Sequence, residues 1–179
     1  ADVSSARAKY NGKVINAGAV TTFSERTLVS ENRVVKIDKK IPAAVAAILG
    51  CAIPTGIGIV KNSLRAKKRD SIAVFGAGGI GSSVILGARM ADCREIIAID
   101  VDRDKLKSAK DLGATRALNF FTDDLNFKVD YAVEAAGRKE AMEAAFEVIK
   151  DNGTAVLAGN LKAGEKISID PFELVKGKK

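Results

Sequence analysis

SIAVFGAGGIGSSVILGARMADCREIIAIDVD, residues 71–102, reads as a strand, a glycine turn, a helix and a second strand. The apolar, β-rich run Ile72 to Phe75 leads into Gly76-Ala77-Gly78-Gly79-Ile80-Gly81, and a second apolar run, Ile96 to Ile99, ends in Asp100. Between them Ile80, Val84, Ile85 and Ala88 share one face at helical spacing. Gly76 permits the sharp turn off the strand, and Gly78 has no Cβ to keep backbone N–H groups away from a pyrophosphate. Gly81 lets the helix pack closely on the strand, and the free N–H groups and positive end of that helix favour phosphate charge. Asp100 stands 19 residues beyond Gly81, at the end of the second strand, where a carboxylate accepts hydrogen bonds from the hydroxyls of an adenosine ribose. An acid there repels a 2′-phosphate, so the pattern points to NAD rather than NADP. Six residues of glycine spacing are weak evidence alone; the strands, the helix and the spaced acid around them make the dinucleotide reading specific.

The same alternation continues downstream. Asp102 is placed to cap a helix whose apolar stripe is Leu106, Ala109 and Leu112, and Gly113 stands where a helix-closing glycine belongs. A third strand is expected near Arg116 to Phe120 and a fourth at Val129 to Ala135. A helix carrying Ala141, Met142, Ala145, Phe146 and Ile149 follows, then a fifth strand at Thr154 to Ala158. Five strands with helical crossovers make an α/β, doubly wound parallel sheet of Rossmann type, order 3-2-1-4-5. Only Phe121 to Lys128 join strands three and four, too few for a helical crossover, so a loop or one helical turn is expected there.

Upstream, Arg65 to Asp70 reads as a basic surface loop. Pro42 opens an alanine-rich helix that Gly50 ends, and a second helix is expected from about Thr55 to Leu64. Alternation at Ser24 to Val29 and at Arg33 to Ile37, around the turn signal Ser30-Glu31-Asn32, predicts two strands. Residues 1–12 carry no period and read as loop. The expected organisation is a β-rich flank over 1–40, the remnant of a larger domain, and a nucleotide-binding domain over 41–179.

Composition bounds the function. The 179 residues carry a formal charge of +7, with a denser basic run at Lys61 to Arg69 and a basic tail at Lys176 to Lys179. No aromatics interleave these charges and tryptophan is absent, so a solvated surface is favoured over nucleic-acid binding. Ile41 to Val60 is free of charge, but its prolines and glycines suit two short helices rather than a membrane span. Cys51 and Cys93 belong to no close-spaced metal or redox pair, which makes a reducing cytoplasm the expected compartment.

Read together, GAVTTFSERTLVSENRVVKID at 18–38, LGCAIPTGIGIV at 49–60, VFGAGGIGSSVI at 74–85, AIDVDRDKLKSAKDLGA at 98–114 and VDYAVEAAGR at 129–138 resemble the zinc-dependent medium-chain alcohol dehydrogenases. The pattern is closest to the class acting on primary alcohols and the formaldehyde adduct of glutathione. The resemblance implies that Cys51 matches a catalytic-zinc thiolate ligand, and that Thr55 and Ile80 match positions packing on the nicotinamide. It further matches Asp100 and Lys105 to adenosine-ribose contacts and Arg138 to an arginine near the ribose and phosphates. Ala135, Ala136, Ala158 and Asn160 match walls of the nicotinamide and adenine clefts.

The implied cofactors are NAD and, in the parent enzyme, zinc; the implied substrate is a small alcohol or aldehyde, and the implied assembly a homodimer or homotetramer. The chain departs from the family pattern in having no histidine, in Ala52 and Pro54, and in lacking the structural-zinc lobe and the sixth strand. One cysteine cannot hold zinc by itself. The resemblance therefore implies the coenzyme-binding part of a dehydrogenase, inactive alone. A stand-alone NAD-binding or sensor module is the alternative reading of the same residues.

Overall fold

The computed structural model describes residues 8–11, 13–15, 25–27, 29 and 31–179. The chain divides into two compact units, Ala1–Pro42 and Ala43–Lys179.

In the first unit β1 (Ala8–Tyr10) pairs antiparallel with β2 (Lys13–Ile15), Tyr10 lying opposite Lys13. Asn11 takes φ 48 at the turn, and of the loop expected over 1–12 the part at Ala8–Tyr10 is corrected to a strand, the other residues but Asn11 lying outside the described ones. The strand expected at Arg33 to Ile37 does not form. Glu31–Arg33 is a single 3-10 turn, and residues 34–38 carry no regular structure. Val34, Val35 and Ile37 are exposed, and alternation that buries nothing and finds no ladder partner among the described residues does not hold a strand. Of the alternation at Ser24 to Val29, Ser24 and Leu28 lie outside the described residues, and the remainder is irregular.

The second unit opens with α1 (Ala43–Ile48) and α2 (Ala52–Gly58). The second helix starts before Thr55 because Pro54 falls in its first turn, where a missing N–H leaves no bond unmade. Ile59–Leu64 continues as one wide π-type turn that Arg65 ends at φ 51. There follow β3 (Ser71–Phe75), α3 (Gly79–Met90), β4 (Glu95–Asp100), α4 (Arg103–Leu112) and β5 (Arg116–Asn119). Then come β6 (Val129–Glu134), α5 (Lys139–Glu147), β7 (Ile149–Leu157) and a short α6 (Pro171–Val175).

The five strands are parallel in the order β5-β4-β3-β6-β7, which is the expected 3-2-1-4-5. Because side chains alternate along β3, Ile72 and Val74 enter a core with Val84, Ile85 and Leu106, while Ala73 and Phe75 enter a second core with Ala145 and Phe146. Both faces of the sheet are thereby covered, which is why its central strands are apolar throughout. The Asp102 carboxylate caps α4, accepting from the N–H groups of Asp104 (2.9 Å) and Lys105 (3.3 Å), and Gly113 closes it at φ 121.

Two connections differ from the plain pattern. Phe120 to Lys128 cross the sheet without a helix, and Leu125 and Phe127 cover the second core in its place. Ile149, which has helical spacing in the sequence, is instead the first residue of β7 and pairs with Val129. Its partner row demands an apolar residue just as a helix stripe does, so periodicity alone does not separate the two. The register then shifts, and β7 resumes with Thr154 opposite Tyr131 after Asn152 turns through φ 62.

Close packing and a polar clamp hold this scaffold. A Cβ on Gly56 of α2 would stand 2.7 Å from the Ile80 carbonyl oxygen of α3, and one on Gly87 would stand 3.2 Å from the Ile57 Cα. At the amino ends of the strands the Ser71 hydroxyl (2.7 Å) and Lys150 ammonium (2.8 Å) donate to Asp130. Partial burial pushes the Asp130 carboxyl upward, but the bonds from Lys150 and Ser71 outweigh it and bring the carboxyl from 3.8 to about 2.

Gly56→Ala is expected to destabilise the second unit by about 1–3 kcal/mol, read as a lower denaturant midpoint at unchanged m-value. The Asp130 clamp stabilises fully above about pH 4 and is lost as the pH falls toward about 2, because its folded-state value lies below the ordinary one. Asp130→Asn is therefore expected to remove about 1 kcal/mol at neutral pH after solvent screening, and to flatten the fall in melting temperature between pH 4 and pH 2.

Candidate functional site

The carboxyl ends of β3, β4 and β6 enclose a cleft of about 660 Å³. Of the residues singled out in the sequence, Gly76, Gly78, Asp100, Lys105, Ala135, Ala136 and Arg138 line it. Strand ends in an open parallel sheet are where bound ligands lie, because neighbouring loops diverge there and leave a crevice.

Backbone geometry makes the floor. Gly76 turns off β3 at φ 94, and a Cβ on it would meet the Ala136 nitrogen at 2.8 Å. A Cβ on Gly81 would overlap the Gly76 carbonyl oxygen, so α3 can start this close to the strand only with glycine there. Gly78 precedes α3 with no side-chain cap, and the space its Cβ would occupy is open. Uncapped N–H groups facing open space are a cradle for an anion such as a diphosphate.

Asp100 joins this floor to β4. Its carboxylate is nine-tenths buried, with Oδ2 accepting from the Ala77 N–H at 2.7 Å and Oδ1 from the Asp102 N–H at 2.9 Å. Each carboxylate oxygen has two lone pairs, so acceptor capacity remains for hydroxyl donors in the cleft. Lys105, one turn into α4, and Arg138, at the start of α5, add two cations to the walls.

A second buried acid was missed in the sequence because it reads as the last residue of an apolar strand. Glu134 is fully buried, and its Oε1 accepts from the N–H groups of Ala136 (2.8 Å) and Gly137 (2.6 Å). Its Oε2 has no hydrogen-bond partner among the described residues and lies against Gly159, where a Cβ would come within 2.6 Å of it. The Glu134 main-chain carbonyl also accepts from Ala158 and Gly159. Ala158 and Asn160 thus stand behind the Ala135–Arg138 turn and do not line the cleft. An acid inside an otherwise apolar run is the signal that marks Glu134. Phe75, Val101, Phe120, Phe121, Glu140 and Ala141 also line the cleft without having been singled out for it.

Cys51, Thr55, Gly79, Ile80 and Gly81 lie outside the cleft lining. The crossing of α2 on α3 nevertheless keeps the first turn of α2 beside the glycine turn, since a Cβ on Gly79 would touch Ala52 at 3.4 Å. Cys51 is an exposed free thiol just before α2. Among the described residues no three His, Cys, Asp or Glu side chains come together as a metal site, so these residues do not by themselves fit zinc. Burial, followed by the negative charges of Asp70, Asp130 and Asp92, pushes the Cys93 thiol up to about 11, which keeps it protonated and unreactive at neutral pH. No helix among the described residues is long and apolar enough to cross a membrane.

Comparison with known proteins agrees with this architecture. Residues 79–179 match the family model described as zinc-binding dehydrogenase. S-(hydroxymethyl)glutathione dehydrogenase of Synechocystis sp. is 38% identical over 97% of this chain and 50% of its own length. The crystal structure of benzyl alcohol dehydrogenase from Acinetobacter calcoaceticus superposes with a TM-score of 0.83 at 30% identity, covering 89% of this chain and 46% of that one. A candidate zinc-binding dehydrogenase from Sinorhizobium meliloti 1021, bound to NADP, gives a TM-score of 0.66 at 26% identity over 73% of this chain and 42% of that one. This chain spans about half the length of the relatives it matches. A five-stranded parallel sheet in the order 3-2-1-4-5, a glycine turn coupled to a buried acid, and a family match over more than half the residues lead to one assignment: the chain belongs to the zinc-binding alcohol dehydrogenase family and carries its coenzyme-binding part.

Proposed function

We propose that this chain binds NAD(H) as the cofactor half of a zinc-dependent alcohol dehydrogenase, and does not turn over alcohols alone. The bond from the Ala77 N–H to Asp100 carries the reading, because it fixes a ribose-binding acid directly beside a phosphate cradle. Asp100 and Lys105 would hold the adenosine ribose, Gly78 and the first turn of α3 the diphosphate, and Arg138 the charge between them. Ala135 and Ala136 would wall the cofactor, with Ala158 and Asn160 supporting that wall from behind. Thr55 and Ile80, on the crossing helices, would face its nicotinamide end.

When bound, NAD supplies a hydride acceptor. The residues of this chain would bind and orient it. Asp100 disfavours a 2′-phosphate, which supports NAD over the NADP seen in the Sinorhizobium meliloti relative. Cys51 would contribute one thiolate to a zinc centre whose other ligands come from outside this chain. On this reading residues 1–40 are a flank of the catalytic domain and 41–179 the nucleotide domain. The whole protein would work in the cytoplasm, as a homodimer or homotetramer, on a small alcohol or aldehyde.

Calorimetric titration of the chain is expected to show NAD+ binding at least tenfold tighter than NADP+. Asp100→Asn, which keeps the side-chain shape, is expected to weaken NAD+ about tenfold and to erase that preference. No NAD+ binding up to millimolar concentration, or an unchanged preference in Asp100→Asn, would sink the proposal. Equilibrium dialysis is expected to leave the isolated chain without retained zinc.

A further inference from the structure

We infer that the amino end of the parallel sheet is a basic face that lays the chain on an anionic lipid bilayer. A parallel sheet sends its helix-to-strand loops to one end, so charges far apart in sequence meet there. Arg65, Lys67, Lys68 and Arg69 are exposed in the loop before β3, and Arg94 is exposed in the loop before β4. The two loops stand level, because Ser71 and Glu95 are register partners and the Arg94 N–H donates to the Asp70 carbonyl at 2.9 Å. None of these cationic side chains has a hydrogen-bond or ion-pair partner among the described residues. The cations of neighbouring loops are engaged: Lys150 by Asp130, Arg116 by Glu95, and Lys128 by the Glu147 carbonyl. Within residues 61–70 and 89–94 the acids are Asp70 and Asp92, and Asp70 already accepts from the Lys67 N–H at 2.7 Å.

The loop that carries most of this charge is fixed in shape. The Ala66 N–H donates to the Val60 carbonyl at 3.0 Å and the Asp70 N–H to the Lys67 carbonyl at 3.1 Å. Arg65 (φ 51) and Arg69 (φ 84) take left-handed backbone that suits glycine or asparagine better, so both turns carry charge where the backbone alone favours another residue. Met90, the last residue of α3, is 69% exposed at the same end, and the chain folds back under it, the Cys93 N–H donating to the Ala88 carbonyl at 3.0 Å. An apolar side chain among cations suits a bilayer surface: the charged heads stay with the lipid phosphates while their stems and the methionine enter the acyl boundary. Residues 61–70 and 89–94 contain no aromatic on which a nucleic-acid base would stack, and loops standing level fit a plane. The cleft lies at the opposite end of the sheet and stays open when this face is docked, so the inference is independent of the cofactor reading.

The test is co-sedimentation of the whole chain with vesicles of phosphatidylcholine containing about 30% phosphatidylserine. At about 50 mM salt the chain is expected to partition onto them about tenfold more strongly than onto pure phosphatidylcholine, and to be released at about 500 mM. Arg65→Asn, Lys67→Gln, Lys68→Gln and Arg69→Asn together are expected to cut that partitioning about tenfold at unchanged melting temperature, asparagine being able to keep the left-handed turns. Where that variant melts early, Lys68→Gln with Arg94→Gln is read instead and is expected to cut partitioning about threefold. Arg103→Gln, Lys107→Gln, Lys162→Gln and Lys166→Gln remove the same charge from exposed positions elsewhere and are expected to change partitioning less than about twofold. No partitioning onto the anionic vesicles, unchanged partitioning in the loop variants, or an equal loss in the distant variant overturns the inference. So does binding of duplex DNA or polyglutamate as tight as that of the vesicles at the same salt, which would make the face a general polyanion site. Vesicle binding by a chain that takes up no NAD+ supports this inference while removing the cofactor reading.

Discussion

The hydrogen bond from the Ala77 N–H to Asp100, 2.7 Å long, ties the turn after β3 to the end of β4. A carboxylate buried at a strand end is tolerated only where N–H donors satisfy it, and charge-assisted bonds of this kind are about twice as strong as neutral ones. The bond therefore demands that the glycine turn stay folded back over the sheet. That conformation in turn demands glycine, since Gly76 has φ 94 and a side chain on Gly81 would overlap the Gly76 carbonyl oxygen. Acid and glycines form one mechanical unit.

The same device recurs one strand over. Glu134 gathers the N–H groups of Ala136 and Gly137, and Gly76 packs directly on Ala136, so the two turns brace each other through backbone contacts. Between them they shape the cleft before any ligand enters. Preorganisation of this kind lowers the ordering cost of binding, because the loops that touch the ligand are already fixed by the core. The opposite end of the sheet carries the compensating clamp of Ser71, Asp130 and Lys150, well away from the cleft.

Small residues extend the unit toward chemistry. Gly56 and Gly87 let α2 lie closely across α3, and this crossing brings the segment after Cys51 next to the glycine turn. A bulkier residue at either position would push that segment away from the glycine turn. The described residues assemble no metal site of their own.

Much of this was legible in residues 71–102. The strand–turn–helix–strand reading, the strand order and the acid at position 100 follow from local rules: apolar period, glycine geometry and fixed spacing act within a few residues of each other, so a sequence displays them directly. Asp102 and Gly113 bounded α4 for the same reason. Periodicity misled where a partner decides the outcome. The alternation at 33–37 found no ladder among the described residues, and Ile149 satisfied a strand row instead of a helix stripe. Glu134, Val101, Phe121 and Glu140 carry no local motif; only the convergence of β4, β5, β6 and α5 at one end of the sheet makes them neighbours. The sequence by itself determined the glycine turn and its acid, because their geometry is a property of the chain's own backbone. The tertiary structure alone decided which other side chains face them, because those contacts join residues dozens of positions apart.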